Sequence, residues 1–143
     1  MKHEPFIIRR VYNAPVKKVW EAITNINQMK QWYMQKLEDF KPEPGFTTAF
    51  TVNNSGKDFE HLWKVVEVIP EKKISYEWKY SGYPGNSLVS FELEPDGNRT
   101  TLTLTHSGLE TFQPGLYPEL AKENFVQGWT SLIGEQLKGF VEK

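Results

Sequence analysis

The sequence predicts an α+β fold: a curved antiparallel sheet of about six to seven strands wrapped around one long C-terminal helix, with two short helices after the first strand. Three observations carry this. Between Phe46 and Ser107, apolar residues recur at every second position in segments separated by turn-forming residues. The last part of the chain holds one broad apolar stripe at helical spacing. Near the N-terminus, a β-branched run is followed at once by helical periodicity.

Phe6 to Tyr12, with Ile7, Ile8 and Val11, reads as the first strand. In Asn13-Ala14-Pro15 the proline suits a first helical turn, where its missing N–H costs nothing, and Asn13 or Ala14 would be the cap. Val16, Val19, Trp20 and Ile23 then share one helical face. Asn25 and Asn27 interrupt it, and a second short helix runs from Ile26 to about Tyr33, with Met29, Trp32 and Tyr33 as its apolar set.

From Lys41 the period changes to two. Phe46, Thr48, Phe50 and Val52 alternate with Thr47, Ala49 and Thr51, and Asn53 to Gly56 is a turn. Phe59 to Ile69 is a strand whose register is ambiguous at Val65-Val66. Ile74, Tyr76, Trp78 and Tyr80 share one face of the next strand, opposite Ser75, Glu77 and Lys79. After a loop at Ser81 to Asn86, Val89, Phe91 and Leu93 face one way. Pro95-Asp96-Gly97-Asn98 is a hairpin signal, and Leu102, Leu104 and His106 continue the inward face. Sequential strands joined by short turns make an antiparallel meander. A Gly- and Pro-containing linker opens the final helix, from about Tyr117 to Val141. Its stripe comprises Ala121, Phe125, Trp129, Leu132, Ile133, Gln136, Leu137 and Phe140. Gly128 lies at the stripe's edge, where a missing Cβ permits close backbone approach, and Gly134 lies in the polar face.

The 143 residues (16.7 kDa) are enough for one core, and a single domain over residues 1–143 is the expectation. With Lys+Arg at 17 and Asp+Glu at 18, there is no basic excess to bind nucleic acid. Mean hydropathy is −0.56 and no long apolar run occurs, so no membrane span is expected. The absence of Cys and of an N-terminal apolar stretch fits a reducing, cytoplasmic location. None of His3, His61 and His106 is paired at ligand spacing, so no metal is expected. No dinucleotide fingerprint, P-loop or nucleophile motif occurs, so no cofactor and no catalytic residue is assigned.

Aromatic residues make up 14% of the chain, which admits either a dense aromatic core or a cavity that aromatics line. Trp63, Tyr76, Trp78, Phe91, Phe125 and Trp129 could all meet between sheet and helix. His106 reads as a polar anchor at a pocket mouth or as a satisfied core histidine. His61, on the Trp63 face, is a weaker candidate, and a buried Tyr76 hydroxyl would need a partner. Tyr83, presented on the Ser81–Ser87 loop, is placed near one end of the cavity, with Gln113 to Pro118 as the opposing lip. The candidate ligand-binding set is therefore Trp63, Tyr76, Trp78, Phe91, His106, Phe125, Trp129 and Tyr83.

Ala14-Pro15, Val19-Trp20, Ala22-Ile23-Thr24, Trp32, Val65 to Pro70, Thr101 to Leu109, Asn124-Phe125, Gly128-Trp129, Leu132, Leu137 and Phe140 form an ordered set over nearly the whole chain. This set resembles the family of domains similar to the C-terminal part of the activator of the heat-shock-protein-ninety ATPase. That family lies in the START-like, birch-pollen-allergen-like SRPBCC superfamily. The resemblance implies the helix-grip fold, a deep cavity for a hydrophobic small molecule, and a chaperone-activating role in the stress response. The eukaryotic co-chaperones of the family carry an additional N-terminal domain for chaperone contact, whereas this chain starts at the first strand. Superfamily relatives include polyketide cyclases, a reading in which His106 or Tyr76 would act as acid or base.

Overall fold

A computed structural model of the chain describes residues 4–143; His3 lies outside the described residues. The strands are β1 (Phe6–Tyr12), β2 (Thr47–Asn54), β3 (Lys57–Ile69), β4 (Lys73–Tyr80), β5 (Ser87–Asp96) and β6 (Arg99–Ser107). They form one six-stranded antiparallel sheet in the order β1-β6-β5-β4-β3-β2. β2 to β6 is the meander that the turns predict, and β1 closes its far edge by pairing with β6. The ambiguous register at Val65-Val66 is a β-bulge: Val65 pairs with Tyr76 and Glu67 with Ser75, so Val66 has no partner and faces out. One extra residue bends the longest strand and adds twist, which curls the sheet.

The two short helices are α1 (Val16–Thr24) and α2 (Ile26–Trp32). The α1 cap is Pro15 itself rather than Asn13 or Ala14, because its extended ψ of 156° leaves Val16 as the first helical residue. Asn25 serves both helices. Its N–H closes α1 on the Glu21 carbonyl, and its side chain accepts from Gln28 N to cap α2. Trp32 donates its indole N–H to the Ala22 carbonyl at 2.7 Å, so the second helix is tied back onto the first.

The C-terminal helix differs from the expected single run. Pro118–Leu120 form one separate 3-10 turn, and extended backbone at Ala121 delays the helix to α3 (Lys122–Ser131). A π-helical turn at Leu132–Gln136 then joins α3 to α4 (Leu137–Val141). This turn corrects the predicted stripe. In a regular helix each step of four residues rotates the side chain by about 40°, so four such residues spread over about 120°. The wider π turn takes up that drift. Trp129, Ile133, Leu137 and Val141, every fourth residue, are therefore all buried, while Gln136 is exposed. Leu137 N–H reaches back to the Leu132 carbonyl and skips that of Ile133. The Ile133 carbonyl accepts instead from the Tyr12 hydroxyl of β1 at 2.6 Å. The Arg10 side chain lies across Gly134 in the same turn. Sheet and helix thus meet through a hydrogen bond that only this irregularity makes available.

Candidate functional site

His106 ends the inward face of β6, as alternation requires, and is fully buried. Trp129 donates its indole N–H to His106 Nδ1 at 2.9 Å. That bond sets the tautomer: the ring proton is on Nε2, which lies 2.8 Å from Ser87 Oγ and donates to it. The Ser87 hydroxyl donates on to the Trp78 carbonyl at 2.6 Å. Helix α3 is thereby chained to β6, β5 and β4. Burial pushes His106 down to about 3, so it stays neutral. Both ring nitrogens are occupied, and neither is available to a ligand or as a general acid or base.

The Tyr76 hydroxyl also has a protein partner, the Tyr33 hydroxyl at 2.6 Å. Burial raises both phenols well above their ordinary range. The Tyr33 ring stacks near Trp32 and Trp63 and is tilted against Trp129, with centroids at 4.7, 5.6 and 5.8 Å. Phe40 meets Trp63 and Tyr76 edge-on. These two side chains, from α2's end and the segment after it, fill the space that the helix-grip resemblance predicts as a deep cavity. Trp63, Tyr76, Phe91 and His106 consequently pack in the core away from the sheet–helix pocket, and Trp63 borders a separate depression with Thr47, Ala49, Leu62 and Lys64.

A half-open pocket remains at one end of the sheet–helix interface. Its volume is about 240 Å³. β3 and β4 contribute Phe59, His61, Trp78 and Tyr80 to its wall. The facing helix contributes Phe125, Gly128, Trp129 and Leu132, and Glu119 and Asn124 stand with Asn54 among its polar lining. Of the eight predicted residues, Trp78, Phe125 and Trp129 reach this cavity. Gly128 does not sit against backbone, as its sequence position suggested. A Cβ there would meet nothing within 4 Å, because the residue faces open space.

His61, the weaker sequence candidate, is a cavity residue and is 6% exposed. Its ring stacks on Phe50 at 4.8 Å and meets Trp78 and Tyr80 edge-on. Nδ1 lies 3.1 Å from the Phe59 carbonyl; since a carbonyl only accepts, Nδ1 carries the proton. Burial brings His61 down to about 4, against a smaller upward pull from that carbonyl. Burial likewise raises the Tyr80 phenol, with a smaller opposing pull from the Trp78 N–H. The two do not meet at hydrogen-bonding geometry, and the indole nitrogens of Trp63 and Trp78 are buried without partners.

Tyr83 does not line this cavity but contacts two residues that do, Phe59 and Glu119. It packs back on the sheet, stacking on Phe59 at 5.8 Å, and meets Tyr117 of the linker edge-on at 5.2 Å. Its hydroxyl donates to Glu119 Oε2 at 3.2 Å, and Lys57 Nζ lies 2.7 Å from the same oxygen. The Lys57 ammonium, hydrogen-bonded to it, holds the half-buried Glu119 carboxyl below its usual range. The loop carrying Tyr83 is fixed. At Gly85, φ is +95° and a Cβ would fall 2.3 Å from the Thr111 carbonyl oxygen. Thr111 Oγ1 accepts from Asn86 N at 2.9 Å.

Among the described residues, no group of three or more His, Asp or Glu side chains could hold a metal. No helix among them is long and apolar enough to cross a membrane. Lys17 and Lys18 are exposed beside a surface depression, and Lys18 donates to the Lys143 carbonyl.

The comparisons agree with this architecture. The family model described as Activator of Hsp90 ATPase homolog 1-like protein matches residues 13–142. A crystal structure of a protein from Chromobacterium violaceum is similar, with 20% identity, TM-score 0.82 and 98% of each chain covered. One from Mesorhizobium loti has 27% identity and TM-score 0.70, with 96% of each chain covered. DynU16, a protein of the dynemicin biosynthetic locus, has 22% identity and TM-score 0.74 over 98% of this chain, which spans 48% of that one. No protein of curated function matches by sequence.

Proposed function

From the premise that the chain belongs to the Activator of Hsp90 ATPase homolog 1-like family, we propose that it binds one small hydrophobic or aromatic molecule in the cavity between Trp78, Phe125 and Gly128. The supporting observation is a half-open pocket of about 240 Å³ at one end of the sheet–helix interface, on whose wall the exposed Gly128 presents no side chain. A cavity of roughly 150 Å³ holds benzene, and drug-sized ligands need about 300 Å³ or more. The volume therefore suits one or two rings, not a long acyl chain. Glycine inside a helix costs about 1 kcal/mol relative to alanine, so Gly128 weakens α3 locally while leaving that wall of the pocket bare.

Gly128→Leu tests this. The leucine side chain should enter the void, abolish saturable ligand-induced change in Trp emission, and leave the unfolding midpoint unchanged or raised. If a panel of one- and two-ring compounds binds Gly128→Leu as it binds the parent chain, the site lies elsewhere. The family's description also supports a co-chaperone reading, for which the readout is stimulation of Hsp90 ATP turnover by the purified chain. The cyclase reading has less support, because the hydroxyl of Tyr76 and both nitrogens of His106 are held by core partners.

A further inference from the structure

Three features of the cavity narrow its ligand, and the narrowing rests on the binding reading above. The first is charge. The lining includes no Lys or Arg, and its charged member is the carboxylate of Glu119. A ligand carboxylate would be desolvated there with no cation to pair it, which is strongly unfavourable. Lys57 does not change this, since it is engaged with Glu119 at 2.7 Å. An anion is thus disfavoured, and because Lys57 already neutralises Glu119, a cation gains no partner there either; a neutral ligand fits best.

The second feature is an unused acceptor. His61 Nδ1–H is directed at the Phe59 carbonyl, so Nε2 carries the lone pair. Nε2 has no hydrogen-bond partner among the described residues. It is also not sealed in protein, as the unpartnered indole nitrogens of Trp63 and Trp78 are. His61 sits on the inner face of β3 and lines the void, so the accessible nitrogen opens into it. Burial keeps the ring neutral above about pH 4, which preserves the lone pair.

The third feature is the wall. The rings of Trp78 and Tyr80 flank His61, and Phe125, edge-on to Trp78, extends the aromatic wall of the same pocket. Flat aromatic ligands match such walls by stacked and edge-on contacts.

We infer that the cavity takes a neutral phenol-type ligand, whose hydroxyl donates to His61 Nε2 while its ring lies among Trp78, Tyr80 and Phe125. An unpartnered acceptor set among aromatic walls gives orientation and selectivity, because a ligand lacking the donor leaves its lone pair unpaired.

The probes are p-cresol, its isostere p-xylene and the anion 4-methylbenzoate, titrated at about pH 7, where the cresol is neutral. Parent chain and His61→Phe are compared. The expected result is binding of p-cresol and p-xylene but not of 4-methylbenzoate. His61→Phe should weaken p-cresol about tenfold, the scale of one hydrogen bond, and shift p-xylene less than about twofold. A parallel measurement on the parent chain is the imidazole nitrogen chemical shift of His61, which p-cresol should move and p-xylene should not. It decides the matter should His61→Phe fail to fold. Equal effects of the substitution on both neutral probes, no nitrogen shift, or binding of the carboxylate would each overturn the inference while leaving the binding reading in place. If none of the three probes binds, both fall.

Discussion

Truncating Trp129 to alanine is expected to lower the unfolding free energy by about 3–5 kcal/mol, the range for removing a large buried aromatic. The side chain is 2% exposed and meets Tyr33, Trp78, Phe91 and His106. Its N–H is also the donor that sets the His106 tautomer. Removal leaves His106 Nδ1 buried and unpaired and loosens the chain through Ser87 to the Trp78 carbonyl. Trp129→Phe separates the two contributions. It keeps most of the packing and loses only the donor, so it should cost about 1–3 kcal/mol. Urea midpoints of the two variants check this. A midpoint unchanged by Trp129→Ala would mean that α3 presents a different face to the sheet.

Acid is expected to destabilise the protein well above the pH at which carboxylates titrate. His61 and His106 are neutral in the folded chain, at about 4 and about 3, against 6.5 when unfolded. Above pH 6.5 neither state binds a proton and the stability is complete. Below it the unfolded chain takes up protons that the fold refuses, so stability falls as pH falls, by about 1.4 kcal/mol per pH unit for each histidine. At pH 5 the pair should account for roughly 4 kcal/mol, or on the order of 10 °C in melting temperature. The loss for His61 levels off near pH 4 and that for His106 near pH 3. Glu119 and Glu142 are shifted below the ordinary 4.5, and their contributions begin to be lost only beneath it. The window from pH 6.5 to 5 therefore reports on the histidines. His61→Phe should remove about half of the slope there. A melting temperature that is flat from pH 7 to pH 5 would show that the two rings are hydrated or already charged.

The residues that read correctly in sequence are those in which a single period governs several neighbours. Ile74, Tyr76, Trp78 and Tyr80 are all buried on one face of β4, and Leu102, Leu104 and His106 on one face of β6. Local irregularities were not legible. The π turn at Leu132–Gln136 shifts the phase of the final helix by about one residue, and no residue type marks it. Gln136 was therefore assigned inward and Val141 left out of the stripe. The extent of the void was hidden for another reason. Tyr33 stands at the end of α2, and Phe40 lies where no period of two or 3.6 operates. Their packing over the adjoining Trp63 and Tyr76 is a tertiary event. His61 was undervalued because of the doubtful register of β3, yet the bulge falls after Val65, so His61 and Trp63 share one face. At Gly128 the missing Cβ leaves open space and brings no backbone close. A glycine at a helix–sheet interface signals close approach or empty space alike, and only the position of the facing strands decides which.

The claim that a ligand occupies the void between β4 and α3 is tested most directly by locating one there. Crystals of the protein soaked in bromobenzene, with data collected at the bromine absorption edge, give the position of the halogen without reference to any assay. The account predicts a single strong anomalous peak within the cavity bounded by Trp78, Phe125 and Gly128, absent in Gly128→Leu. Bromine peaks confined to the outer surface, with the cavity unchanged and empty at saturating ligand, would contradict it.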